Sequence, residues 1–221
     1  MEKKLNDVMV VAYENLGEVF KDNTSTIDSK ERTIRGRVEM YEIVDGEKKK
    51  IFERDNLVVY AGREWIASKI FNTNNVEITP SLDEFICWLG LGSGGTIFGD
   101  PFDPSPPSST NTDLVTPIVI HATDNIYCGD LRADGYYKHL LDEVIFEQDE
   151  YNGDSWLIAR VLITIGQDDA INNQINEAGL FTAVSNEGGF SGEFHLFARV
   201  TFPSVYKDNS RQLVLVWYIY C

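Results

Sequence analysis

The period of the apolar positions changes along this chain. Val8, Val11, Ala12, Leu16, Val19 and Phe20 recur at helical spacing, and the polar run 21–26 follows. This predicts an N-terminal amphipathic arm, residues 1–30, whose apolar stripe needs cover from its own domain or from a neighbouring subunit. From residue 31 the spacing shortens toward alternation. Residues 31–60 read as a β-hairpin turned by Asp45-Gly46, and Trp65, Ile66 and Ile70 within 62–71 fit a helix of two or three turns. Residues 72–81 are polar and contain a proline, which reads as a loop.

Phe85–Leu91 is a continuous apolar run of strand length, the pattern of a central strand buried on both faces. Residues 92–113 lose all periodicity around Gly94-Gly95, Pro101, Pro104 and Pro106-Pro107, so a long loop is expected there, of the kind that crosses a surface or reaches a partner. Strand patterns then fill 115–120, 143–147, 156–165, 178–183, 193–202 and 212–220, separated by turn-forming runs at 152–154, 186–189 and 207–210. The predicted fold is mainly β: an antiparallel β-sandwich over 31–221, with one or two short helices, the loop 92–113 and the N-terminal helical arm.

Composition narrows the partners. The 221 residues carry a net charge of −16, which repels nucleic-acid phosphates. The densest basic run, Lys48-Lys49-Lys50, adjoins the Asp45-Gly46 turn and reads as a solvated hairpin tip. The three cysteines, Cys87, Cys128 and Cys221, are widely spaced and form no C-x-x-C pair, so free thiols are expected. Met1–Lys4 does not open a signal peptide, and no apolar run approaches the ~18 residues of a membrane span. Neither nucleic acid nor membrane is an expected partner.

Candidate chemistry is sparse. Gly90-x-Gly92-x-x-Gly95 has the spacing of a dinucleotide-binding loop, but the strand before it is followed by Thr96–Pro101 and a proline-rich loop, not by the helix whose N-terminus would hold a pyrophosphate. These glycines are read as a sharp turn that needs positive φ. His121, His139 and His195 lie outside any nucleophile-elbow or H-E-x-x-H motif, and structural roles are expected. Glu147–Glu150 and Asp168-Asp169 read as solvated turns beside strands, and Asp149–Asp154 lacks the alternating acidic spacing of an EF-hand. Trp156 and Tyr151 beside carboxylates leave a carbohydrate-binding or carbohydrate-cleaving module as an alternative. No catalytic, cofactor-binding or metal-binding residue is assigned, and no enzyme activity or small-molecule substrate is expected.

Three local patterns go beyond a generic β domain. They are Asn56–Ile66; Trp88–Thr96 with Thr112–Ile118; and Ile175–Phe181 with Leu196–Pro203 and Leu213–Trp217. In this order, over roughly residues 33–221, they resemble virion proteins of tailed bacteriophages: tail, baseplate and tail-collar-fibre proteins. The resemblance implies a structural subunit located in the virion that assembles with other virion proteins and with copies of itself. A capsid decoration protein or a carbohydrate-binding module of the particle is the alternative. The resemblance transfers no catalytic residues. Within the third pattern, Gly179 is expected to permit close backbone approach, Leu180 and Phe181 to enter the core, and Pro203 to end a strand.

Overall fold

A computed structural model describes residues 35–59, 61–63, 66, 84–97, 100–151, 154–186 and 189–220. The expected N-terminal arm lies outside the described residues. Ten strands follow in chain order: β1 (Arg35–Val44), β2 (Glu47–Val58), β3 (Glu84–Gly92), β4 (Cys128–Arg132), β5 (Gly135–Leu140), β6 (Glu143–Tyr151), β7 (Asp154–Ile165), β8 (Asn173–Asn186), β9 (Gly189–Lys207) and β10 (Gln212–Tyr220). They form one antiparallel sheet in the order β4-β5-β3-β8-β9-β2-β1-β10-β7-β6. The mainly-β expectation holds, and helix among the described residues is confined to Ala61–Arg63 and Ile66, at the start of the segment expected to be helical.

The sheet is continuous because β2 serves both halves. Residues 47–56 of β2 ladder with β1, while Leu57 and Val58 cross to pair with Arg199 and Ala198 of β9. The sheet then curls. Phe52 of β2 stacks on Phe202 of β9 with ring centroids 4.5 Å apart, although these residues are not ladder partners. One core results, joining Val38, Met40, Ile163, Leu215 and Trp217 from one half to Leu89, Ala178, Leu180, Ala198 and Val200 from the other. Burying this apolar area supplies the main driving force for closure.

Local chemistry explains several elements. Asp45 and Gly46 both have positive φ, at 51° and 84°, as a two-residue turn of the mirror-image type requires, so the expected β1–β2 hairpin forms. Phe85–Leu91 becomes β3, held between β5 and β8. Its alternate residues serve different clusters: Leu89 and Leu91 join the main core, while Trp88 packs with Val59, Leu114, Phe181 and Leu196. Burial on both faces is why that run shows no alternation.

Two expectations are corrected, and one hairpin is added to them. Residues 115–120 form no ladder strand; they bend at 115, 116 and 120 and touch the end of β3 through the isolated Gly92–Pro117 bridge and the Ile118 N–H to Leu91 carbonyl bond of 3.0 Å. Pro117 lacks the N–H that a central ladder needs. Pro203 does not end β9, which continues to Lys207, because the proline sits where the β8–β9 register slips between Ile175 and Glu177, and a bulge tolerates the missing donor. The β4–β5 hairpin was not anticipated. Gly129 and a left-handed Asp130 (φ 58°) interrupt β4, so its five residues carry no alternation to read.

Leu180 and Phe181 are both fully buried although neighbours in a strand normally face opposite ways. The register shifts between them, and each enters a different cluster, Leu180 the main core and Phe181 the one around Trp88.

Candidate functional site

The long loop is fastened to the sheet by two residues of the Asn176-Glu177-Ala178-Gly179 run. Asn176 lies on β8 opposite the bulge that Phe202, Pro203 and Ser204 make in β9, and Glu177 pairs with Thr201 just beyond it. Glu177 is completely buried. Its Oε1 accepts the Gly94 and Thr116 amides at 3.1 and 2.9 Å, and its Oε2 accepts the Val115 amide at 3.1 Å. Oε2 also takes two N–H groups of the buried Arg199 guanidinium, at 2.6 and 3.0 Å. One carboxylate thus satisfies both ends of the loop and the single charge beneath it, which is how an ion pair survives away from water.

Further bonds extend this seam. The Gly95 amide donates to Asn176 Oδ1 at 2.6 Å, and Asn176 Nδ2 donates to Thr96 Oγ1 and Ser204 Oγ at 3.2 and 3.1 Å. Arg199 Nη1 reaches Asn111 Oδ1 at 2.9 Å, and Thr201 Oγ1 donates to the Ser105 carbonyl at 2.7 Å. A loop with no ladder of its own must place its backbone groups on such partners.

The glycines now have a different explanation. Gly90, Gly92, Gly94 and Gly95 do not adopt positive φ. They are required by proximity: a Cβ on Gly95 would lie 2.1 Å from the Asn176 carbonyl oxygen, and one on Gly92 would lie 2.5 Å from Glu177 Oε1. The expected sharp turn is therefore a close approach of two backbones.

Outward, the loop and the residues just after it expose three large apolar side chains among polar ones such as Asp100, Asp103 and Asp113. Ile97, Phe102 and Val115 are 48%, 76% and 62% exposed. With its base fastened in this way, the loop has little backbone entropy left to lose.

A second cluster assembles the histidines. His121, in the segment after the loop, and His139, on β5, are both buried. His121 Nε2 lies 2.8 Å from His139 Nδ1, and His121 Nδ1 lies 2.8 Å from Asp169 Oδ1. At the far end His139 Nε2 faces Asp142 Oδ1 at 3.5 Å. The His121–Tyr136 bridge across the β4–β5 hairpin and the Ala170 amide bond to the Ile120 carbonyl, 2.7 Å, hold the backbones that carry these side chains. Burial, reinforced by His121, lowers the His139 pKa against the pull of Asp142. Burial would raise the Asp169 pKa, but hydrogen bonds from His121 and the Gly166 amide help to outweigh it and the carboxyl stays below its ordinary range.

The third feature lies on the outer face of β1. Glu39 is buried among Arg37, Tyr41 and Lys50, with Tyr41 Oη at 2.6 Å and Lys50 Nζ at 2.9 Å. Burial opposes ionisation, yet these hydrogen bonds lower the Glu39 pKa from 4.5 to about 2. A depressed carboxylate stabilises the folded chain fully above its unfolded pKa, and that stability disappears as pH falls from 4.5 toward 2. Glu39→Gln is expected to cost about 1–2 kcal/mol at pH 7 after allowance for solvent screening around the half-exposed Lys50, and nothing near pH 2. Urea unfolding of both chains at several pH values checks this; a pH-independent difference would remove the Glu39 contribution.

The residues singled out in the sequence separate as follows. Asp169 turns inward to His121, while its neighbour Asp168 is exposed. Glu147 pairs with Arg160 at 2.8 Å on an open face. His195 sits on β9 opposite Thr182, in the ladder. Tyr137 Oη donates to Asp134 and its ring carries Arg132 at 4.2 Å, a hairpin-end contact. Cys87 Sγ donates to the Phe85 carbonyl at 3.5 Å and Cys128 Sγ to the Thr123 carbonyl at 3.4 Å, and Cys221 lies outside the described residues. The side chains of Tyr151 and Trp156 lie outside the description as well. Among the described residues no group of three or more His, Cys, Asp or Glu is placed to hold a metal. The joint role of Asn176, Glu177 and Arg199 was not read from sequence; a charged pair inside two otherwise apolar strands was the available signal.

No protein-family model, curated protein or solved structure matches the chain.

Proposed function

We propose that this chain is a structural subunit of a tailed-bacteriophage particle, working by assembly and not by catalysis. Its curled sheet serves as a sandwich-like body, and its contacts with other virion proteins and with copies of itself run through residues 1–30 and the 92–113 loop. One observation carries the reading: the loop is anchored at its base by buried Glu177 and Arg199 while Ile97, Phe102 and Val115 stay exposed at its rim. Apolar groups held in a fixed array suit a contact that must form repeatedly in one geometry. The residues that build the anchor are those on which the resemblance to virion proteins rests.

The test is the association state of the purified full chain by light scattering, with an Ile97→Ser/Phe102→Ser double variant alongside. Self-association weakened at least tenfold by the double variant, with melting moved by less than about 2 °C, supports the reading, because exposed apolar groups contribute to contacts and little to folding. A chain that stays monomeric at high concentration and binds oligosaccharides would replace it with the carbohydrate-binding alternative.

A further inference from the structure

The histidine cluster can be counted in protons. Its polar chain runs Asp169, His121, His139, Asp142, with three links between four groups. Each link needs one N–H. Asp169 Oδ1 is a carboxylate oxygen, so His121 Nδ1 carries a hydrogen and donates to it. His121 Nε2 is then a lone pair, and His139 Nδ1 must donate to it. Two neutral imidazoles have two N–H groups, and both are now used. The third link, His139 Nε2 facing Asp142 Oδ1, holds two lone pairs, and His139 Nε2 is buried without a hydrogen-bond partner.

One added proton fits this gap with only a small closing of the 3.5 Å separation. It binds His139 Nε2 and donates to Asp142. A second proton has no such place. It would need His121 Nε2, where the N–H of His139 already points across 2.8 Å. Two N–H groups cannot face each other at that distance, so the ring pair must part.

We propose that Asp169, His121, His139 and Asp142 form a proton-counting clasp, which accepts one proton at His139 Nε2 and opens on the second to free residues 121–127 from β5. This stands apart from the assembly reading, since it concerns only the described interior. The other groups facing the pair do not supply a competing base. Cys128, opposite His139 on β4, is a thiol whose pKa burial raises. Tyr136, bridged to His121, is likewise shifted up by burial and by Asp124. Asn125 Nδ2 lies 3.3 Å from His121 Nδ1, and the Tyr127 ring stacks on His139 at 5.4 Å. Lys207, which feels Asp169 from the end of β9, spends its N–H groups on the Gln167 and Asp208 carbonyls. The segment the clasp holds carries Ile126, 81% exposed, beside edge strand β4, so opening remodels that edge.

The sign follows from linkage. Once the clasp is open the two rings no longer share one hydrogen bond and can carry two protons, while the closed pair takes at most one. Closure is therefore fully favoured above about pH 6.5 and weakens as pH falls, by about tenfold per pH unit for each proton the closed state cannot accept. Amide exchange reads this directly, as protection factors of Tyr136, Leu140 and Ala170, whose N–H groups bond the His121, Tyr127 and Ile120 carbonyls. In the full chain these factors are expected to hold from pH 8 to 7 and to fall at least tenfold between pH 6.5 and 5. His139→Asn keeps a side-chain N–H for His121 but removes the titrating partner, and is expected to cut that fall by tenfold or more. Nitrogen-detected NMR of the wild-type imidazoles gives a second measurement independent of the variant. No more than one proton taken up by the pair before Tyr136 and Leu140 lose protection supports the clasp. Uptake of two protons with those amides still protected, or protection unchanged from pH 7 to 5, overturns it.

Discussion

Replacing Glu177 with alanine is expected to lower the unfolding free energy by about 4 kcal/mol and to release the loop from residue 93 to 116. The carboxylate is wholly buried and receives five N–H groups, three from the loop backbone and two from Arg199. Its removal leaves the Arg199 charge away from water and orphans the Gly94, Val115 and Thr116 amides. Breaking a buried ion pair from one side costs about 3–5 kcal/mol, and each stranded donor adds to that. For a chain of this size the midpoint of thermal unfolding should fall by roughly 10 °C. Denaturant unfolding with amide exchange on 93–116 measures both effects. The double variant Glu177→Ala/Arg199→Met should lose less than the sum of the single changes, since the stranded charge is gone. Additive losses would mean that the two side chains do not act as one unit.

Gly95→Ala should be the most damaging small-to-small change in the loop. The added Cβ would meet the Asn176 carbonyl oxygen at 2.1 Å and the Glu177 Cβ at 2.8 Å, and the first of these belongs to the backbone of a central strand. The strand cannot retreat without breaking the β8 ladder, so the loop must lift and surrender the 2.6 Å Gly95–Asn176 bond. Overpacking of this kind costs about 1–3 kcal/mol, and the lost bond brings the expected loss to about 3 kcal/mol. Gly46→Ala is the useful comparison, because nothing lies within 4 Å of its added Cβ and only its positive φ opposes the change. If chemical denaturation finds the two variants equally stable, close approach is not why glycine occupies position 95.

Both experiments probe the proposed assembly surface indirectly. A loop that comes loose in Glu177→Ala still carries Ile97 and Phe102, but no longer in one arrangement. If the contact depends on preorganisation, association should weaken in that variant although no rim residue has changed.

The strands and the β1–β2 turn were legible because their causes are local. Alternation marks a half-buried strand, an unbroken apolar run marks β3, and Asp45-Gly46 can adopt two successive positive φ angles. The β4–β5 hairpin escaped because Gly129 and left-handed Asp130 erase the period in a strand of five residues. What only the tertiary structure decided is which distant groups meet. The Glu177 carboxylate serves amides 83 and 61 residues away in sequence, and His121 finds Asp169 48 residues on. No local pattern encodes those meetings, because they depend on where the folded chain lays the loop against β8 and on a hairpin that carries His139 back to His121. Hydrophobic periodicity reports which face of a strand is buried; it is silent about which polar group waits at the end of it.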